Sequence, residues 1–352
     1  LKRYISEKLG NVGLSRKLTV AYLILGIFTI FSVAFVSYQA FKKALLDRTY
    51  AQLSSINILK KKQIEGYIQT KAANSKLIAD ELVKYPSLNQ EDTLLMSRLK
   101  YLKNHFDYAS VSFVDASDSL IISTEPSIGK DLIKTLRDKK EFNAFLSRAS
   151  IKPEVQDLSG KTGKKNKLSF FVAAPVGKER NLRGILLIEM HVKDFGSILY
   201  ERTGMGETGE SYIVGSDFRM RSRSRFFPET SPLDIVVKTK ATEKASRGFE
   251  GIEIIKDYRN TNVLSVYRPL SIEGVNWMIL SELDEKEAMQ PIYRLQYTLV
   301  WIAIFILIIF FIITYFVSWK ITSPVINLKT LLDQTSAGIL PKKIPQSVDK
   351  DE

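Results

Sequence analysis

Residues Tyr297 to Trp319, YTLVWIAIFILIIFFIITYFVSW, run for 23 positions without Asp, Glu, Lys, Arg, Asn or Gln, and few folds can accommodate such a run. As a helix rising 1.5 Å per residue it is about 34 Å long, enough to cross a hydrocarbon core of about 30 Å. A buried core helix seldom extends so far without a polar face. Tyr297, Trp301, Tyr315 and Trp319 stand toward its two ends, where aromatic side chains favour the boundary between headgroups and hydrocarbon. Leu18 to Ala40 is equally free of charge and predicts a second spanning helix. A cleaved signal peptide is the rival for that run, which exceeds the about 7 to 15 apolar residues of a signal core and lacks a small-x-small exit. Lys2, Arg3, Lys8, Arg16 and Lys17 precede it against Glu7 alone. Positive-inside orientation then puts both termini in the cytoplasm and residues 41–296 outside.

Several classes of chemistry are excluded or disfavoured by composition. The chain has no cysteine, which removes disulfides, thiolate catalysis and iron-sulfur clusters, and its two histidines, His105 and His191, are too few for a His-based metal site or triad. A formal charge of +13 raises the question of nucleic acid. Much of the excess falls in turn-rich segments such as SGKTGKKN and GKERN, so a solvated basic surface is the expected reading and nucleic acid is not an expected partner. No carboxylate pair, nucleophile elbow or phosphate loop stands in a catalytic context, so the chain is expected to be no enzyme, with no catalytic residue, cofactor or metal.

Between the two spans the pattern changes twice. From Phe41 to Tyr85 no proline intervenes, and Phe41, Leu45, Leu53, Ile56, Ile64, Ile68 and Leu77 predict one apolar stripe on a long helix. That stripe serves either a paired, coiled-coil-like contact or packing on the helix's own domain. From Tyr108 the period becomes two: YASVSFVD, a turn at residues 116–118, and SLIIST form a hairpin. Helical segments follow at 130–137 and 141–148, then strands KPEVQDL, KLSFFVAAPV and LRGILLIEM, and a helix VKDFGSILYE. The same order returns with a hairpin SYIVGSDFRMRSRSRF and strands GIEIIKDY, VLSVYRPL and WMILSELD. Ser117-Asp118 matches Ser216-Asp217, Pro175 matches Pro269, and Leu187-Ile188-Glu189 matches Leu280-Ser281-Glu282, offsets of about 93 to 99 positions, the size of a small domain. The outer region is thus expected to be α+β, two tandem modules each built on an antiparallel sheet.

Two motifs invite chemistry. Gly204-Met205-Gly206-Glu207-Thr208-Gly209 contains G-x-G-x-x-G, but a strand follows it and Glu207 and Glu210 would repel a pyrophosphate, so its glycines are expected to shape the entry into SYIVG. Arg219, Arg221, Arg223 and Arg225 alternate with other residues and would share one face of a strand. Such a row either grips an anion, with Arg221 and Arg225 as its members, or lies on an exposed edge among acidic partners.

GMGETGESYIVGSDFRMRSRSRF is similar to the GxxGxTGExYxVGxDxxMRSxSRF pattern of membrane-proximal Cache modules, and IKDYRNTNVLSVYRPLSIEGVNWMILSELDEKEA resembles the strands that close them. ITSPVINL, Gly338 and the pair Asp351-Glu352 look like a HAMP domain, which begins with a proline such as Pro324 and places an acidic pair before its second helix. The chain as a whole resembles the double Cache transmembrane receptors of bacteria. The resemblance implies two tandem PAS-like (Cache) modules on a long N-terminal helix, flanked by two transmembrane helices, with a partial HAMP helix at the end. Its expected boundaries are a cytoplasmic segment 1–17, a span 18–40, a stalk and connecting helix 41–107, a membrane-distal module 108–200, a membrane-proximal module 201–294, a span 297–319 and partial HAMP 320–352.

The same resemblance implies a homodimer in the bacterial inner membrane that senses a small-molecule ligand in its distal module and passes a helix shift to HAMP. A cytoplasmic effector of chemotaxis, two-component or cyclic-nucleotide signalling is implied outside these residues, and Pro324 marks the coupling point. In the distal module the matching ligand positions are Arg137, Phe142 and Asp157. Amino-acid-binding members follow the arginine with a Trp-Tyr pair; here none follows Arg137, which departs from that pattern. Asp157 has a second reading as a turn-capping residue before Ser159-Gly160. The alternative for the whole chain is a membrane-anchored adhesion or structural protein that binds a partner through its outer modules.

Overall fold

The structure, a computed structural model of the chain, describes residues 14–88, 90–115, 120–125, 140–161, 168–178, 181–191 and 194–336. In chain order its elements are α1 (Leu14–Leu82), α2 (Thr93–His105), β1 (Tyr108–Asp115), β2 (Leu120–Ser123), α3 (Lys140–Ala149), β3 (Glu154–Asp157), β4 (Phe170–Val176), β5 (Gly184–Met190) and α4 (Asp194–Tyr200). Then follow β6 (Glu210–Val214), α5 (Lys240–Ser246), β7 (Gly251–Lys256), β8 (Asn262–Pro269), β9 (Met278–Asp284) and α6 (Glu285–Ser336). Two compact units emerge, one of Leu46–Ala288 and one of Leu1–Leu45 with Met289–Glu352.

The unit Leu46–Ala288 is α+β and holds two antiparallel sheets, ordered β2-β1-β5-β4-β3 and β6-β9-β8-β7. Alternation of side chains along each strand gives each sheet two distinct faces. One face of the first sheet places Val111, Phe113, Val172, Ala174, Leu186 and Ile188 in a core that also takes Ile64 and Ile68 of α1. That core continues into the second module through Ile213, Leu270, Val275, Trp277 and Ile279. Its other face packs on α3 through Phe142, Phe145, Leu146 and Ala149, against Val114, Phe171, Ala173, Ile185 and Leu187. In the second sheet Tyr212, Val214, Val263, Met278 and Leu280 pack on Ala241 and Ala245 of α5.

The buried seam of α1 differs from the purely apolar stripe expected. It comprises Leu53, Asn57, Lys60, Ile64, Ile68, Lys71, Ser75, Ile78, Ala79 and Leu82, while Leu77 is exposed. Spacings of three and four still produce the seam, but three of its long polar side chains reach strand and loop backbone. Asn57 Nδ2 donates to Ser281 Oγ at 3.1 Å, and its Oδ1 accepts from Arg268 Nη1 at 3.0 Å. Lys60 Nζ donates to the carbonyls of Leu199 (2.9 Å) and Glu201 (2.5 Å). Lys71 Nζ donates to those of Phe106 and Asp107 and lies 4.8 Å from the centre of the Tyr108 ring. Burial pulls the Lys60 amine down to about 8, against the nearby Glu201 charge.

Two other expectations are corrected. The segment 219–225 is not a strand carrying four arginines on one face. It makes only the bridges Val214–Met220 and Arg219–Val236 before bending, so Arg219 and Arg223 are exposed, Arg221 is buried and Arg225 half-buried. Pro324 does not open a helix: α6 runs from Glu285 to Ser336 through Pro291 and Pro324, each of which removes one amide donor from the ladder without ending it. The turn at 116–118, the helical segment expected at 130–137, Arg137 and the acidic pair at 351–352 lie outside the described residues.

In the other unit, the apolar parts of α1 and α6 are long and apolar enough to cross a membrane, and almost none of their side chains is buried within the protein. Phe28, Phe31, Trp301 and Phe305 are exposed, which suits lipid and opposes a soluble core helix. Gly26 lets the two helices approach, since a Cβ there would lie 2.8 Å from Phe310 Cε1.

The polar-interrupted seam yields a contrast between neighbours on α1. Ile64→Ala is expected to lower the unfolding free energy by about 3 kcal/mol through the cavity it leaves, while Gln63→Ala, at an exposed position, changes it by less than about 0.5 kcal/mol. Urea denaturation of the two variants checks this, and equal losses would remove the assigned seam.

Candidate functional site

The α3 face of the distal sheet is the expected ligand side, and strand register decides what it presents. Ser110, Ser112 and Val114 of β1 share that face with Ile185, Leu187 and Glu189 of β5, and with Phe171 and Ala173 of β4. Toward Val114 the face is closed by α3 and is apolar. Toward Ser110 it turns polar although still buried: Ser110, Ser112, Ser123 and Glu189 are all under 7% exposed. The Ser112 and Ser123 hydroxyls meet at 2.9 Å. Phe142 of α3 is fully buried beside Phe145, with ring centroids 6.3 Å apart, and forms part of the apolar wall. The buried face thus changes from aromatic groups under α3 to hydroxyl and carboxylate groups toward Ser110.

Asp157, the other described ligand candidate, lies at the end of β3 and engages the proximal module. Its Oδ2 accepts from Arg221 Nε at 2.7 Å and from Trp277 Nε1 at 2.8 Å, while its Oδ1 accepts from the Ser159 amide at 2.9 Å. Arg221 also pairs with Asp217 at 2.9 Å and donates to the Arg219 carbonyl at 2.9 Å. The guanidinium lies so close over Gly215 that any Cβ there would collide with it. The Trp277 ring packs on Phe170 (4.7 Å) and Phe195 (5.7 Å) of the distal module. Thus Asp157 and Arg221, expected in separate sites, form one junction between modules, with the turn-capping bond to Ser159 as part of it. Burial alone would raise the Asp157 carboxyl. The Arg221 charge and the bonds from Ser159, Trp277 and Arg221 outweigh it and hold the group below the usual carboxylate range.

Arg225 stands apart from that junction. Its Nη1 donates to the Gly209 carbonyl at 2.8 Å, and its backbone amide donates to Glu210. Arg221 and Arg225 therefore have different partners and do not converge on one anion.

The loop with the G-x-G-x-x-G pattern does bind an anion, and it is a side chain of the same chain. The amides of Glu207 and Thr208 each donate to the Glu287 carboxylate at 2.7 Å, and the Thr208 hydroxyl joins them. Gly206 has φ 70°, and a side chain there would collide with Glu287. Although burial opposes it, these donors lower the Glu287 pKa, and the carboxylate also sits in the first turn of α6, where the helix dipole favours it. The glycines thus shape a clasp on the start of α6 as well as the entry into β6.

Trp277, Glu287 and the serine row are absent from the sequence-based candidates. The serines were legible in principle, as polar residues at the inward positions of VSFVD; nothing local marked Trp277 or Glu287, whose partners lie 120 and 79 to 80 positions away.

A Cache-domain family model (dCache_1) matches residues 38–292, well over half of the chain and every strand of both sheets. The chain belongs to the Cache-domain family. Among solved structures, this Cache chain is similar to the ligand-binding domain of the Campylobacter jejuni chemoreceptor Tlp3, in complex with L-norvaline. Identity is 10%, with 71% of this chain and 96% of that one covered and a TM-score of 0.51. It also aligns with the ligand-binding domain of Pseudomonas fluorescens chemoreceptor CtaA, in complex with L-isoleucine (14% identity, 70% and 97% covered, TM-score 0.49). A third is that of the Pseudomonas aeruginosa PAO1 amino acid chemoreceptor PctC, in complex with GABA (14%, 67% and 100%, 0.48). The Tlp3 likeness shows a shared fold. No curated protein sequence matches the chain.

The junction has a defined acid response. With its folded pKa depressed, Asp157 contributes stability that is full above its unfolded value near 3.8 and is lost as pH falls through the lower folded value. Asp157→Asn, which strands Arg221 with Asp217 alone, is expected to cost about 3 kcal/mol in urea denaturation at neutral pH. It should also flatten the acid limb of the stability profile; a variant with an unchanged acid limb would dismiss the assignment.

Proposed function

We propose that this Cache chain is a transmembrane receptor whose distal module binds a small molecule on the α3 face of its sheet and reports it through α6 to a cytoplasmic effector. The observation that carries this reading is the buried row of Ser110, Ser112, Ser123 and Glu189 beside the Phe142 wall. Ser112 and Ser123 bond to each other within this row, and hydroxyl and carboxylate groups at such a place are able to supply directional contacts to a ligand as well. Phe142 is assigned to the ligand's apolar part and Arg137 to an anionic part, with Asp157 acting on the site from the module junction. The solved relatives hold L-norvaline, L-isoleucine and GABA. Amino acids are therefore the first class to examine, although no Trp-Tyr pair follows Arg137. The chain itself is a receiver and not an enzyme.

The basic residues before the first span favour an inner-membrane protein with both termini in the cytoplasm. Residues 320–352, with Pro324 at the coupling point, are assigned to the beginning of a HAMP domain. A second copy is assigned to the exposed side of α1. Leu59 and Leu77 are exposed there and, 18 residues or five turns apart, lie on one helix face.

The test is a thermal-shift and calorimetric screen of the chain against amino acids and small carboxylates. A ligand at a hundred times its Kd should add about 2.7 kcal/mol of stability. Ser112→Val should weaken that binding at least about tenfold, the loss of one buried hydrogen bond of about 1.4 kcal/mol. Glu287→Gln should leave the binding intact while reducing output from a fused effector. Unaltered affinity in Ser112→Val would remove the α3 face as the site.

A further inference from the structure

Glu210 of β6 and Glu282 of β9 are Cα partners in register, so their side chains emerge side by side on the face that packs against α5. They are 6% and 3% exposed. Two ionised carboxylates in that relation repel each other with little screening by water. The groups holding them are almost all neutral. Tyr212 and Ser265 donate to Glu282, each at 2.8 Å. Tyr258 donates to Glu210 at 2.6 Å, its hydroxyl also meeting Ser224 at 2.7 Å, and the Arg225 amide donates at 2.8 Å.

The charged groups around the pair offset it only in part: the Arg259 charge opposes the effect of burial on Glu210 without forming an ion pair with it. Arg259, in the turn after β7, is paired with Asp257 at 2.5 Å and Asp284 at 2.6 Å, and the Arg225 guanidinium donates to Gly209. Lys244 of α5 is paired with Glu253 of β7 at 2.7 Å, Glu287 of α6 is held by the 207–208 loop, and Arg223 with Tyr200 of α4 lies at the edge of the cluster. Among the described residues, none of these cations forms an ion pair with Glu210 or Glu282. Burial pushes Glu282 up to about 8, with hydrogen bonds from Tyr212 and Ser265 only partly opposing it, and burial raises Glu210 as well.

The position of the pair gives its charge state a consequence. Glu282 lies two residues before the end of β9, which runs directly into α6 at Glu285. Glu210 opens β6 immediately after the loop whose amides hold Glu287. The two carboxylates therefore stand where the clasp and the root of α6 are joined by β6–β9 pairing.

We propose that the proximal module contains a proton-operated switch, in which the Glu210–Glu282 pair holds one proton in the zipped state and its release to solvent forces β6 and β9 apart at the root of α6. Two buried anions then face each other across the ladder, and the 206–209 clasp loosens on Glu287. The switch rests on the receptor reading only for what the effector makes of it; protonation and loosening are properties of this chain.

The experiment uses the full chain in lipid nanodiscs between pH 5 and 9.5, read by infrared spectroscopy of the protonated carboxyl band and by hydrogen exchange corrected for the intrinsic pH dependence of amide chemistry. A buried carboxyl band that disappears with a midpoint near 8 is expected in the parent chain and not in Glu282→Gln. Amides of 207–214 and 278–284 should lose at least about tenfold in protection across that midpoint in the parent, and keep it in Glu282→Gln. Because the unfolded carboxyl releases its proton first, near 4.5, this group alone lowers the folding equilibrium about tenfold per pH unit from there to about 8, and no further above it. Glu282→Gln should lack that slope. Tyr212→Phe, which keeps the carboxyl but removes a donor to its anion, should move the midpoint upward. A band unaltered by Glu282→Gln, a midpoint indifferent to Tyr212→Phe, or protection constant across the titration overturns the switch. Ligand binding measured on the same samples separates the two readings: binding without titration refutes the switch alone, and titration without any binding refutes the distal sensing site alone.

Discussion

The seam of α1 is the constraint on which both modules depend. A helix buries a stripe against a sheet through residues three and four apart, and here that stripe must serve two sheets and the loops around them. Apolar side chains alone would fix its depth but not its register. Asn57, Lys60 and Lys71 fix register, because each reaches particular carbonyl or hydroxyl groups: Asn57 the β8–β9 pair, Lys60 the end of α4, Lys71 the turn before β1. A sliding helix would leave these donors buried without acceptors, a penalty of about 1–3 kcal/mol for each. The polar interruptions therefore define where each module sits along α1.

The same logic explains how far the sequence could be followed. Strand period in YASVSFVD, FFVAAPV and GILLIEM, and their repetition about 93 to 99 positions later, were legible because each strand must bury one face. The arginines at 219–225 misled for a physical reason: alternation implies a shared face only where the ladder continues, and here two bridges end it. Leu77 misled because an apolar residue at plausible spacing need not be buried, whereas Lys60 and Lys71 were passed over because a long polar side chain can bury its stem and still satisfy its tip. The start expected at Pro324 failed because proline removes a single donor, which a long helix tolerates. Of the candidate site, Phe142 came from the family resemblance, and it lies on α3 in the apolar wall. The serine row and the module junction were not found, since they arise from register and from partners far away in the chain.

The junction and the clasp divide the work of the fold between them. Asp157, Arg221 and Trp277 tie the distal sheet to the proximal module, with Trp277 set between Phe170 and Phe195. Trp277, the residue directly before β9, thus touches the adjoining ends of β3 and β4. At the other end of β9, Glu287 is fixed by three donors from one loop, so displacement of β9 relative to β6 acts on α6 at its first turn. β9 thus has a contact with the distal module directly before one end and the start of α6 at the other.

That placement also explains why buried carboxylates at the end of β9 matter more than the same groups elsewhere in the sheet. A hydrophobic pair at 210 and 282 would make β6–β9 pairing insensitive to the medium, and replacing buried charged pairs by apolar residues is often neutral or stabilising. Carboxylates held mainly by tyrosine and serine hydroxyls make the same pairing depend on proton activity. The distal sheet has its own acid at the equivalent depth, Glu189, buried on the face assigned to ligand. Glu189 and Glu282 also match in the internal repeat, Leu187-Ile188-Glu189 against Leu280-Ser281-Glu282. The two modules thus retain one acidic position on their fifth and ninth strands. In the first it lies opposite the buried Ser110, and in the second it faces another carboxylate, so the surroundings of the acid differ with the neighbour and not with the fold.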